Sequence, residues 1–154
     1  MKLLVLAILI VAVVLVSGCT SEKVGSQATG INQSQVKLAN NYFRFDPQAY
    51  QSALEHNKTI LLFFKANWCP TCAESVPRIH NVFNEMKSDD VIGFEVHFND
   101  EESQDFDNEI IRKYQIAYQN ALVILDKNGK EAFRTLAYIT EDKIRSGIEK
   151  ARGY

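Results

Sequence analysis

"TILLFFKANWCPTCAESVP", residues 59–77, is the stretch from which the rest of this chain can be read. It opens with TILLFF, an apolar run of strand length, the pattern of a strand buried on both faces. The run leads into Cys69-Pro70-Thr71-Cys72, and a helical pattern then continues to about Met86. Cys69 therefore falls where a buried strand gives way to a helix N-terminus. Unpaired backbone N–H groups and the helix dipole stabilise a thiolate there, and thiols in such settings titrate at about 3.5 to 7.5. Cys72, one helical turn on, is within bonding distance of Cys69 and is expected to be the more buried of the two. That asymmetry makes Cys69 the sulfur that attacks a disulfide and Cys72 the one that resolves the mixed disulfide.

The same pattern of short apolar runs and amphipathic segments extends to both sides. Upstream, "DPQAYQSALEHNK" begins a helix with Asp46 as N-cap and Pro47 at its first position. Downstream, "VIGFEVHF", residues 91–98, predicts a second central strand. "EESQDFDNEIIRKYQI" predicts a helix with Phe106, Ile110 and Tyr114 on one face. "NALVILD", the turn "KNG" and "KEAFRTLAY" predict a hairpin, and "TEDKIRSGIEKAR" a last helix capped by Thr140. The order helix, β, α, β, α, β, β, α predicts an α/β fold of three layers, with a mixed central sheet of about four strands.

"FFKANWCPTCAESVP" resembles the thioredoxin superfamily, and the element order after residue 46 fits that fold throughout. Trp68, Cys69 and Cys72 match its W-C-x-x-C motif, and Pro77 matches the proline that kinks the active-site helix. "VILDKNGKEAFRTLAYITEDKI" is similar to the family's terminal hairpin and helix. The resemblance implies a thioredoxin-like α/β/α domain over residues 41–154 and a redox-active Cys69–Cys72 disulfide that needs no other cofactor. It also implies substrates that are protein thiols or disulfides, a separate redox partner that recharges the pair, and a monomer. Trp68 is expected to wall the reactive sulfur. Pro70 and Thr71 form the dipeptide that tunes the potential, and Tyr118 and Gln119 are expected to line a substrate groove.

Two positions depart from the family. Its buried acid aligns with Phe63, so no carboxylate at that position assists Cys72. Its cis-proline aligns with Asn120. A cis bond before a residue other than proline costs about 3 to 4 kcal/mol, so the Gln119–Asn120 bond is expected to be trans.

The N-terminus carries a different signal. Lys2 precedes "LLVLAILIVAVVLV", residues 3–16, which holds no polar residue. Such a helix would be about 21 Å long, short of the roughly 30 Å core of a bilayer. A charged start, an apolar run and a small-residue exit describe an export signal, with a short membrane anchor as the alternative. "VSGC", residues 16–19, resembles the lipobox of bacterial lipoproteins. That resemblance implies residues 1–18 as a signal peptide, cleavage before Cys19 and lipid on its thiol; an ordinary cleavage site beside an incidental cysteine is the alternative. Residues 19–40, lacking aromatic residues and rich in Ser, Thr, Gln, Asn and Gly, are expected to be a flexible tether. Lipobox and WCPTC together are similar to membrane-anchored, extracytoplasmic thioredoxin-like proteins, such as those of cytochrome maturation. The expected location is thus the extracytoplasmic side of a cell membrane.

With a net charge of −2 the chain offers no field for nucleic acid, and none is expected as a partner. The rival chemistry is a copper or zinc carrier. A CxxC supplies two of about four ligands, and His80 and His97 would have to supply the rest. His80 lies some two helical turns beyond Cys72, about 12 Å, too far for one ion. His97 reads as a sheet residue, and His56 and Glu74 as surface groups, so no metal site is assigned. A thioredoxin-like scaffold that binds partners without turnover is the third reading, and a purely structural disulfide a fourth.

Overall fold

The computed structural model describes residues 35–136 and 138–153; the segment expected as a signal peptide, Cys19 and most of the segment expected as a tether lie outside the described residues. The elements are β1 (Lys37–Ala39), β2 (Tyr42–Arg44), α1 (Pro47–Glu55), β3 (Thr59–Lys65), α2 (Pro70–Glu85), β4 (Val91–His97), α3 (Asp105–Lys113), β5 (Ala121–Leu125), β6 (Glu131–Leu136) and α4 (Glu141–Arg152). The caps read from sequence are made. Asp46 accepts the Ala49 N–H at 2.8 Å and Thr140 accepts the Lys143 N–H at 3.3 Å.

One six-stranded sheet runs in the order β1-β2-β4-β3-β5-β6. β3 sits at its centre, parallel to β4 on one side and antiparallel to β5 on the other. The sheet is mixed, as predicted, but has six strands rather than about four. The two missed strands, β1 and β2, are three residues each, too short to show a period of two. They turn at Asn41, whose φ is +52°. β1 occupies part of the segment assigned to the tether. Its pairing with β2, and the burial of Tyr42 and Phe43, hold it against the domain.

The two faces of β3 explain its unbroken apolar run. Leu61 and Phe63 face α2 and α4, packing with Ile79, Val82, Phe83, Ile144 and Ile148. Ile60, Leu62 and Phe64 face α1 and α3, packing with Ala49, Tyr50, Ala53 and Ile110. Gly93 of β4 is required where it stands, because a Cβ there would run into the rings of Tyr42 and Phe83. Among the described residues no helix is long and apolar enough to cross a membrane.

Candidate active site

β3 ends at Lys65, and the chain needs only Ala66, Asn67 and Trp68 to reach Cys69, which caps α2. Pro70 follows at the first helical position, where its missing N–H leaves no bond unmade. Cys69 and Cys72 are at bonding distance as a disulfide, with Cα atoms 5.2 Å apart. The Cys72 N–H points at Cys69 Sγ at 3.1 Å, and the Thr71 hydroxyl lies 3.3 Å from the same sulfur. These donors, with the helix dipole, favour negative charge on Cys69 when the disulfide opens.

The burial asymmetry expected from sequence is nearly absent in the disulfide form, since Cys69 is 3% exposed and Cys72 1%. What separates the sulfurs is their surroundings. Cys69 holds the helix cap, whereas Cys72 lies under the first turn of α2 with the core residues of that face. Pro77 lies inside α2, which continues to Glu85 despite the missing N–H.

Trp68 is 56% exposed, and its indole N–H donates to the Asn99 carbonyl at 3.0 Å. The neighbouring Asn67 is tied to the same loop. Its N–H donates to Asp100 at 2.9 Å, and its side-chain amide donates to Glu101 at 3.0 Å and Glu102 at 2.8 Å. His97, buried at the end of β4, meets Asp100 through Nδ1 at 2.9 Å, with Nε2 3.6 Å from Glu95. The Lys65 ammonium donates to Asn67 Oδ1 at 2.8 Å and lies 3.6 Å from Glu95.

Burial pushes the carboxyl groups of Glu95 and Asp100 up. For Glu95, His97 and Lys65 outweigh it; for Asp100, the Asn67 N–H and His97 do, and both groups stay below their ordinary range. Burial lowers His80, which feels both Glu95 and Lys65. Sequence reasoning missed this network. The available signal was Glu95 and His97 at alternate positions of an otherwise apolar strand, side by side on one face.

On the other side of α2, Tyr118, Gln119 and Asn120 line a groove of about 460 Å³ with Thr71, Glu74, Ser75, Arg78, Leu136, Tyr138 and Ile139. Tyr118, Leu136 and Tyr138 are exposed. Glu74 is a surface charge paired with Arg78 at 3.8 Å, and the Arg78 guanidinium sits over the Tyr138 ring. No peptide bond is cis among the described residues, and Asn120 takes φ +58°, in the left-handed region. His56 is exposed at the end of α1. Neither His80 nor His97 lines the cavity that holds the sulfurs, and the described residues contain no group of three or more His, Cys, Asp or Glu arranged to hold a metal.

A family model described as a thioredoxin-like domain matches residues 47–152. The chain belongs to the thioredoxin-like family. Solved structures similar to this thioredoxin-like chain include Trxlp from Edwardsiella tarda EIB202, 19% identical with a TM-score of 0.58, covering 68% of this chain and 95% of its own. StoA from Bacillus subtilis is 19% identical with a TM-score of 0.53, covering 59% and 82%. The pneumococcal exposed lipoprotein thioredoxin Etrx1 from Streptococcus pneumoniae strain TIGR4 is 21% identical with a TM-score of 0.53, covering 63% and 89%. At these identities the likeness is one of fold. No curated protein sequence matches the chain. A thioredoxin-like fold with a CxxC pair at disulfide distance supports thiol-disulfide oxidoreductase chemistry in general.

Proposed function

We propose that the protein is a membrane-anchored enzyme that exchanges its Cys69–Cys72 dithiol or disulfide with extracytoplasmic proteins. The observation that carries this reading is Cys69 at the N-cap of α2. Its sulfur faces the Cys72 N–H at 3.1 Å and lies 3.3 Å from the hydroxyl of Thr71, which lines a groove bordered by exposed Tyr118 and Tyr138. In the reducing direction the Cys69 thiolate attacks a substrate disulfide and one substrate thiolate leaves. The Cys72 thiol then loses its proton, and its thiolate attacks Cys69 and expels the second substrate thiolate. The substrate gains two electrons, the protein becomes the disulfide, and a separate dithiol partner must return those electrons. The oxidising direction is the same path reversed. The exposed aromatic and aliphatic groups of the groove suit an extended or unfolded segment next to the substrate cysteine.

The lipobox at residues 16–19 supports a lipid on Cys19, and a lipoprotein thioredoxin among the similar folds agrees with it. Two measurements test the proposal. Catalysed reduction of a protein disulfide by dithiothreitol should vanish in Cys69→Ser, while Cys72→Ser should accumulate a mixed disulfide with substrate. Purified protein that carries stoichiometric copper or zinc and exchanges no thiols would favour the carrier instead. Mass spectrometry of the mature N-terminus should find acylated Cys19, and Cys19→Ala should leave the membrane fraction; an unmodified terminus elsewhere would end the lipoprotein reading.

A further inference from the structure

The lining of the large groove reaches Thr71 but does not include Cys69 or Cys72. Behind them is a second, smaller cavity of about 70 Å³, lined by Lys65, Ala66, Asn67, Cys69, Cys72, Ala73 and Val76. Lys65 is the charged residue of that lining, and its side chain is 15% exposed, so bulk salt screens it weakly. Its ammonium is held in place by the Asn67 side-chain oxygen at 2.8 Å and by the buried Glu95 at 3.6 Å. Glu95 is in turn held by His97, and His97 by Asp100. A flexible lysine is thus fixed where the strand before the motif ends.

The two thiols have unequal help. Cys69 has an amide N–H, a hydroxyl and a helix terminus around its sulfur. Among the described residues no hydrogen bond reaches the Cys72 sulfur, and Cys72 is 1% exposed, a setting that disfavours a thiolate. Yet the resolving step requires Cys72 as a thiolate. We propose that Lys65 is the positioning residue for that step: its ammonium, held by Glu95 and Asn67, stabilises the Cys72 thiolate across the small cavity. The other charged and titratable groups facing Lys65 are His97 from β4, His80 from α2, and Asp100, Glu101 and Glu102 of the loop bound to Asn67. The acidic members of that set confine the cation and temper its charge, and Lys65 is the one among them that shares a cavity with the sulfurs. This inference rests on the exchange chemistry proposed above.

The test separates the two thiols in time. The full-length chain, carrying Cys19→Ser in every variant and reduced with dithiothreitol, is mixed with an excess of an aromatic disulfide whose released thiolate is coloured. Attack by Cys69 releases the first coloured thiolate and leaves the reagent's other half on Cys69. Ionisation of Cys72 then gives its proton to solvent, and its attack on Cys69 releases the second. The protein loses two electrons and the reagent gains them. Lys65→Met is expected to slow the second release about tenfold at neutral pH, about one unit in the Cys72 titration, while the first changes much less. The deficit should close at alkaline pH, where the thiol ionises unaided, and Lys65→Arg should restore the second phase.

Lys65→Met strands Glu95 in the interior. Lys65→Met with Glu95→Gln removes both charges, guards against misfolding and should still slow the second phase selectively, by less than Lys65→Met alone. Equal slowing of both phases, a deficit that does not depend on pH, or an unaltered second phase in the double variant would overturn the proposal. A protein that completes both phases with the reagent but turns over no protein disulfide would overturn the proposed function and leave this role of Lys65 standing.

Discussion

Asn120 shows how one residue redirects a loop at the edge of the site. The loop turns there with φ +58°, a region where Cβ sterics penalise most residues and Asn less than most. Proline, held near −65°, is unable to adopt that backbone. Replacing Asn120 by the family's proline therefore reaches beyond thiol chemistry. The left-handed backbone makes it a change to the fold of the groove. Asn120→Gly should therefore stay within about 1 kcal/mol of the parent in urea denaturation, while Asn120→Pro should lose about 3 kcal/mol or more. Equal stabilities for the two variants would show that the left-handed turn is not maintained in solution.

Helix ends matter at the next scale up. α1 is nine residues long, too short to persist by propensity, so its start depends on the cap and its register on packing. Asp46 accepts the Ala49 N–H at 2.8 Å, and Pro47 follows at the first position. Asp46→Ala should cost about 1 kcal/mol, and Asp46→Ser or Asp46→Asn should recover most of it. Hydrogen exchange is the sharper readout, because the loss should concentrate in the first turn of α1 and leave β3 protected; uniform loss of protection would contradict it. α2 is the contrasting case. Its cap is the Cys69 sulfur itself, so the atom that starts the helix is the one that changes charge in the proposed exchange.

Across the whole molecule, the loop after β4 and the loop before Cys69 are joined by buried charge. Arg44 of β2 extends the join, pairing with Asp107 at 2.9 Å and donating to the Glu102 carbonyl at 2.9 Å. Glu95 and Asp100 are held below their ordinary range, so the unfolded chain binds protons on these groups more readily than the folded one. Their stabilisation is complete above the ordinary carboxylate range, near about pH 4, and is lost as the pH falls through the lower folded values. Asp100→Asn should therefore be less stable than the parent at neutral pH, and the gap should narrow on acidification below about pH 4. Urea midpoints measured across that range check it, and a gap that stays constant into strong acid would remove Asp100 from the linkage.

The sequence by itself determined the elements whose signal is local. A buried strand, a cap and a helical pattern around Cys69 sufficed for the motif, the helix after it and the order of the seven elements from β3 to α4. The N-caps at Asp46 and Thr140 were legible for the same reason, since a cap is a contact three residues long. Tertiary structure alone decided what depends on contacts distant in the chain. β1 and β2 are strands because a sheet edge receives them, and no local period announces three residues. Glu95 looks like a stray charge in an apolar strand until register puts it opposite Phe63, with Lys65 and His97 alongside. The small burial difference between Cys69 and Cys72, and the cavity that Lys65 shares with them, follow from how β3 passes beneath α2. Local sequence placed the cysteine pair at a helix N-terminus, while packing across the sheet decided which charge shares a cavity with the two sulfurs.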